Sequence, residues 1–292
     1  MTTYAANWYL EDGSVTVNAD NSGQTVTQGS TSTPDEAPVI TQRGSSAETS
    51  NTITINASEN ATANVTISNV NIDTSSAAIA TSGKGNVNIE LDGTNTLKSG
   101  VDHAGLEKNS DGNQGKLTIT DENANGKLIA TGGDYGAGIG GDDQGNGKNI
   151  TITGGEVTAA GGTNGAGIGG GLRKEGEKIT VSGDATLKVQ GGLTDEWDGA
   201  GAGIGNGGRH NGDTGSFIPV NGAETEPDTS NLTTGKIEYY APGADMTKDE
   251  PTSTTFGSLV QPEPSSPGET GAPAEYRMQT SASEPVQGNG KS

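Results

Sequence analysis

The segment GGLTDEWDGAG, residues 191–201, sets Trp197 among Asp195, Glu196 and Asp198. An aromatic face flanked by carboxylates suits a sugar ring, whose C–H face stacks on the indole while its hydroxyls bond the acids. The bland alternative is a tryptophan folded back over its own turn. A second grouping, Asp121, Asn123, Asn125 and Gly126, opens like a D-x-N-x-N-G calcium loop, but Gly132 stands where that pattern needs its bidentate glutamate. Calcium at Asp121, Asn123 and Asn125 is therefore the one cofactor the sequence leaves open. Catalysis is not expected. Asp142 and Asp143 are consecutive and on a strand would face opposite ways, the two histidines lie in different turns, and there are four arginines, Arg43, Arg173, Arg209 and Arg277. Hydrolysis or elimination on a polysaccharide needs paired acids, or calcium with a basic group, at one place.

The elements that must position these residues follow from a repeat. The tripeptide Ala-(Ala/Gly)-(Ile/Leu) occurs at Ala77, Ala104, Ala137, Ala166 and Ala202, at spacings of 27, 33, 29 and 36 residues. Ahead of each copy lies an alternating segment, Val65-Thr66-Ile67, Val87-Asn88-Ile89, Leu117-Thr118-Ile119, Ile150-Thr151-Ile152 or Ile179-Thr180-Val181, with the period of two of a half-buried strand. Between them a second strand is read in KLIATGG, EVTAAGG and ATLKVQGG. Three short strands per unit of about 30 residues is a solenoid pattern, each unit one coil stacked on the next, and predicts a parallel β-helix of about six coils. Gly-Gly pairs are expected to end strands at corners that need positive φ, and the small Ala-Gly-Ile segments to let a narrow face pack closely.

Stacked coils turn sequence-distant corners into columns. The corner before each Ala-Gly-Ile segment holds Ser75-Ser76, Asp102-His103, Asp134-Tyr135, Thr163-Asn164 and Trp197-Asp198, and is longest in the last unit. A ligand-binding ladder is expected of His103, Tyr135, Asn164, Asp195, Trp197 and Asp198. The corner after it holds Asp142-Asp143, Arg173-Lys174-Glu175 and Arg209-His210, read as a solvated face.

Composition agrees with a thin core. Of 292 residues 28% are hydrophobic and 3% aromatic, with 49 glycines, so apolar groups must be buried economically and helix is disfavoured. A formal net charge of −21 repels phosphates and anionic bilayers, which sets aside nucleic acid and direct membrane insertion. There is no cysteine, hence neither disulfides nor thiolate metal sites. No apolar run reaches the ~18 residues of a span, and MTTYAANWYL is no signal peptide, so the chain reads as a piece excised from a longer protein. The expected organisation is an N-terminal cap over 1–51 with Trp8, Tyr9 and Leu10 on the open core, a β-helix over 52–241 closed by Ile237, Tyr239 and Tyr240, and a Pro/Ser/Thr-rich linker or tail over 242–292 with one docked piece near Phe256–Val260.

The stretch NVTISNVNIDTSSAAIATSGKGNVNIELDGTNTLKSG, residues 64–100, with HAGLEKN and the GAGIGG repeats, resembles the carbohydrate-binding β-helix repeats of Gram-positive surface proteins, many from gut commensals. The resemblance covers about residues 52–205, and its motifs encode the coil more than a ligand site. It implies a right-handed parallel β-helix, an extracellular, wall-attached or secreted location, and glycan binding, with calcium in some relatives. The expected function is a non-catalytic, adhesin-like module for host or dietary glycan. The alternative is a binder of a host protein, immunoglobulin specifically, through a flat β-helix face, and the third reading is a structural stalk.

Overall fold

The computed structural model describes residues 6–44, 47–109, 115–212 and 217–260. Among them there is no α-helix, only one 3₁₀ turn at Leu10–Asp12, and the fold is all-β with mostly parallel sheets, consistent with a β-helix-like arrangement. Three large sheets carry the chain, which visits them in rotation. Thr62–Ser68 belongs to the first sheet, Asn71–Asp73 to the second and Ile79–Ser82 to the third; Asn86–Asp92 then returns to the first and pairs in parallel with Thr62–Ser68. The rotation repeats until Gly176–Val181, Thr186–Gln190 and Ile204–Gly205.

The register explains the repeat. Ile79, Leu106, Ile139, Ile168 and Ile204 pair in a single ladder of the third sheet, so the five tripeptides mark one column of core. In the first sheet Val87, Leu117, Ile150 and Ile179 form one inward column, and Ile89, Ile119, Ile152 and Val181 the next. Val65 pairs with Ile89 rather than Val87. That two-residue offset keeps every apolar side chain inward, since side chains alternate with a period of two. Strands about 4.8 Å apart make this thin column a continuous dry core; the core isoleucines among them are essentially inaccessible.

The expected role of the Gly-Gly corners holds at some pairs and fails at those that follow the second-sheet strands. Gly133, Gly162 and Gly192 have no positive φ; a Cβ on each would lie 1.8, 1.8 and 1.6 Å from the carbonyl oxygen of Gly100, Gly133 and Gly162 respectively. Glycine is required there because consecutive coils touch backbone to backbone. Positive φ does occur in other pairs, at Gly140 and Gly169, which follow the ladder isoleucines and open the Gly140-Gly141 and Gly169-Gly170 pairs at φ +137 and +140, and at Gly155 of Gly154-Gly155 at +84; Gly205 has the same conformation at +141.

Both ends depart from the coil. Asn7–Tyr9 and Val39–Thr41 are the first two strands of the first sheet, and Val15–Asp20 joins the third sheet while starting an antiparallel meander with Gly23–Gln28 and Thr31–Pro34. Residues 7–41 are thus woven into the same stacks. Trp8 is buried, and its Nε1–H donates to Asp35 Oδ2 at 2.9 Å. At the other end Lys236–Tyr240 extends the second sheet in register with Thr186–Gln190, and Ser253–Phe256 adds an antiparallel strand to it. Residues 242–260 are therefore docked, not a free tail. Residues 261–292 lie outside the described residues.

Candidate functional site

The expected ladder does not assemble. Backbone bonds run from Asp102 N–H to Asp134 O, from Tyr135 N–H to Thr163 O and from Asn164 N–H to Leu193 O. Asp102, Tyr135 and Asn164 share the column, all with left-handed φ of +71, +74 and +65. His103 lies one residue beyond it and spends its Nδ1 on Glu107 Oε2 at 2.9 Å. Burial raises the Glu107 pKa, with the His103 bond working against that rise and the Asp142 charge adding to it. Asn164 is fully buried, its Nδ2 donating to Asp198 O at 3.0 Å and Gly199 O at 2.9 Å, so it clamps a backbone instead of facing a ligand.

Trp197 lies outside the column because the last corner is an insertion. Gly192 still sits over Gly162 and Gly201 over Gly165, so the extra residues between them are extruded as a loop. Asp195 builds that loop, its Oδ1 accepting the backbone N–H groups of Trp197 and Asp198 at 2.8 and 2.7 Å. Asp198 anchors it. Its side chain is 3% exposed, and the Arg173 guanidinium grips it in bidentate fashion, Nε to Oδ1 at 2.9 Å and Nη2 to Oδ2 at 2.6 Å, while His210 Nδ1 meets Oδ1 at 2.9 Å. Burial works against the Asp198 carboxylate, but the bonds and charge of Arg173, joined by His210, prevail and hold its pKa below the ordinary value.

His210 belongs to an antiparallel hairpin, Arg209–Asn211 with Ile218–Val220, that the repeat pattern did not reveal. The hairpin delivers Phe217. Its ring packs against His210 at 4.5 Å between centroids and against Trp197 at 5.3 Å, at an interplanar angle of 81°. Trp197 is 50% exposed and Ile218 61%. Two aromatic walls at right angles, with Asp195 and Glu196 on the loop beside them, thus form an exposed corner held from beneath by the Arg173–Asp198–His210 network. Of the six expected residues, Trp197 and Asp195 meet here, Asp198 serves as anchor, and His103, Tyr135 and Asn164 do not line it. One signal was available in the sequence: Phe217 is one of two phenylalanines in the chain and follows the longest spacing in the repeat.

The expected calcium loop is occupied by itself. Asp121 Oδ1 accepts Asn125 N–H at 3.2 Å and Oδ2 accepts Gly126 N–H at 3.0 Å, Asn125 Nδ2 donates to Asp92 at 2.9 Å, and Asn123 points to solvent. Among the described residues no group of three or more His, Asp or Glu side chains is placed to hold a metal ion. No helix of the described residues is long and apolar enough to cross a membrane.

Comparison of the chain with family models, with the curated proteins and with the solved structures returns no match. The functional reading therefore starts from the geometry of the corner.

Proposed function

We propose that this chain is a non-catalytic, extracellular binding module of a Gram-positive surface protein, adhesin-like, that recognises host or dietary glycan, and that its three sheets form one right-handed parallel β-helix of about six coils. The observation that carries the ligand class is the corner of Trp197 and Phe217: exposed aromatic faces beside carboxylates, pre-set by an ion network around the buried Asp198, offer stacking and hydrogen bonding to a sugar at reduced ordering cost on binding. Rotation of the chain through three parallel sheets supports the β-helix, and the resemblance of the repeats supports the location.

A second reading has its own support. Ile218, next to Phe217 in the hairpin, is 61% exposed and Leu193, at the start of the extruded loop, 54%, and large exposed apolar side chains mark protein interfaces as well. The partner would then be a host protein, immunoglobulin being the specific case. A glycan array and a panel of glycoproteins and immunoglobulins, native and enzymatically deglycosylated, separate the two. Array binding that falls at least tenfold in Trp197→Ala, with protein binding lost on deglycosylation, is the expected result. An empty array with protein binding that persists after deglycosylation overturns the glycan reading and leaves the protein one.

A further inference from the structure

A second feature lies on the outer face of the second sheet, away from the aromatic corner. Four strands in register, Lys127–Thr131, Glu156–Ala160, Thr186–Gln190 and Lys236–Tyr240, present two parallel outward columns. One reads Lys127, Glu156, Thr186, Lys236; the other reads Ile129, Thr158, Lys188, Glu238. The chain then doubles back as a strap over this face. Gln190 Nε2 donates to Ala241 O and Ala244 O at 2.7 and 2.8 Å, and Lys188 Nζ donates to Met246 O at 2.8 Å. Between strap and sheet is a hollow of about 620 Å³, within the size range of ligand sites, with Met246 on one wall and Ile129 and Thr158 on the floor.

The charge of the lining is balanced in a chain that is strongly acidic overall. Lys127 pairs with Glu156 at 2.8 Å and Lys236 with Glu238 at 2.5 Å, and the remaining charges of the lining are one of each sign, Lys188 and Asp245. Such a surface offers donors and acceptors but little net field, which favours an uncharged, hydroxyl-rich ligand over a polyanion or polycation. The floor repeats with the strand spacing of ~4.8 Å, close to the length of one pyranose unit in a β-linked chain. Along the strand starts Lys127, Glu156 and Thr186 also line a hollow of about 290 Å³ over the 121–126 turn, so the groove is open on that flank.

The geometry points to a second binding site: a groove beneath the Ala244–Thr247 strap that takes a linear, uncharged oligosaccharide lying along the coil axis, one sugar per coil. The inference rests on the glycan-binding reading but not on the Trp197 corner.

Met246 supplies the test, because the chain has three methionines and its methyl resonance can be followed on the whole protein. Hexasaccharides of β-1,4-linked glucose, xylose and mannose are titrated with calorimetry and methyl NMR, with oligogalacturonate as the charged comparison. At least one neutral hexasaccharide is expected to shift the Met246 methyl. Thr158→Trp, which fills the groove from a strand position that tolerates aromatics, should weaken that binding at least tenfold, and so should Thr158→Arg; both variants are checked for wild-type circular dichroism. Trp197→Ala should leave the Met246 shift and its affinity unchanged. The groove is refuted if no neutral hexasaccharide moves the Met246 methyl, if oligogalacturonate binds there as well as the neutral chains, or if both Thr158 variants bind as wild type. An unmoved Met246 methyl beside array binding that depends on Trp197 would sink the groove alone, whereas a shifted Met246 methyl beside array binding indifferent to Trp197→Ala would sink the corner alone.

Discussion

Replacing Lys108 by methionine should make this protein more stable. Lys108 ends the Leu106–Lys108 strand with its side chain turned into the core, where the residue is 2% exposed and its Nζ has no hydrogen-bond partner among the described residues. Burial alone pulls its pKa from 10.5 down to about 8. Each tenfold change in protonation equilibrium is worth ~1.4 kcal/mol, so keeping the ammonium charged costs the folded state roughly 3 kcal/mol at neutral pH. The sign follows from proton counts. Between pH 8 and 10.5 the unfolded chain holds the Lys108 proton and the folded one releases it, so stability from this residue rises with pH across that window and is flat below it. Methionine keeps the length and removes the charge, and should raise stability at pH 7 by about 2–3 kcal/mol, an advantage that fades towards pH 10.5. Urea unfolding of both proteins at pH 7, 9 and 10.5 measures it. Tyr239, whose pKa burial pushes up to about 12, loses stability above pH 10 in both, so only the difference between them reports Lys108. Equal midpoints at pH 7, or a difference that does not change with pH, would refute the argument and mean that the ammonium is solvated in the folded protein.

Two further outcomes test the backbone and the anchor. Gly162→Ala should destabilise by about 3 kcal/mol or more in thermal or urea unfolding, because the new Cβ would lie 1.8 Å from Gly133 O at a φ that alanine otherwise tolerates. Asp198→Asn should cost about 2 kcal/mol, less than a fully buried pair since Arg173 is 47% exposed, and should expose the loop around Trp197 to limited proteolysis. Because the folded Asp198 pKa is lowered, its contribution is present above the unfolded value of ~3.9 and is lost as pH falls through the folded one; the variant should lack that part of the acid dependence.

The repeat was legible because the thin core leaves little freedom. An inward isoleucine that misses its column faces water, so Ile79, Leu106, Ile139, Ile168 and Ile204 keep phase through spacings that vary from 27 to 36 residues. The variation is absorbed in corners, where sequence says little about direction, and corner residues were accordingly harder to place. A shift of one residue separates His103 from the column of Asp102, Tyr135 and Asn164, and no periodicity reports it. Asn164 departs from the expected ligand ladder for a related reason: asparagine tolerates left-handed φ, so at that position it serves the corner by conformation and by its buried amide bonds. The Arg209–Asn211 and Ile218–Val220 hairpin is held by pairing between two short segments without alternation, and Phe217 could not be brought to Trp197 by any local rule.

These departures have a common physical source. A stacked coil satisfies its backbone through its neighbours and fixes each inward side chain, so residues that serve the stack are spent on it: Asn164 on a carbonyl pair, Asp121 on its own turn, Gly162 on a backbone contact. Side chains free to meet a ligand come from the outward faces of the strands, as on the groove floor, and from chain that the stack does not need. Among the described residues, two segments of that kind are the extruded loop at residues 193–200 with the hairpin strands Arg209–Asn211 and Ile218–Val220, and the strap at 241–249; both lie towards the C-terminal end of the stack. Each is tied to the rigid coils by bonds at fixed points, Asp198 to Arg173 in one and Lys188 to Met246 in the other. A rigid scaffold thereby orients irregular chain, which is the arrangement recognition surfaces require: pre-set geometry from the stack, and chemistry from what interrupts it.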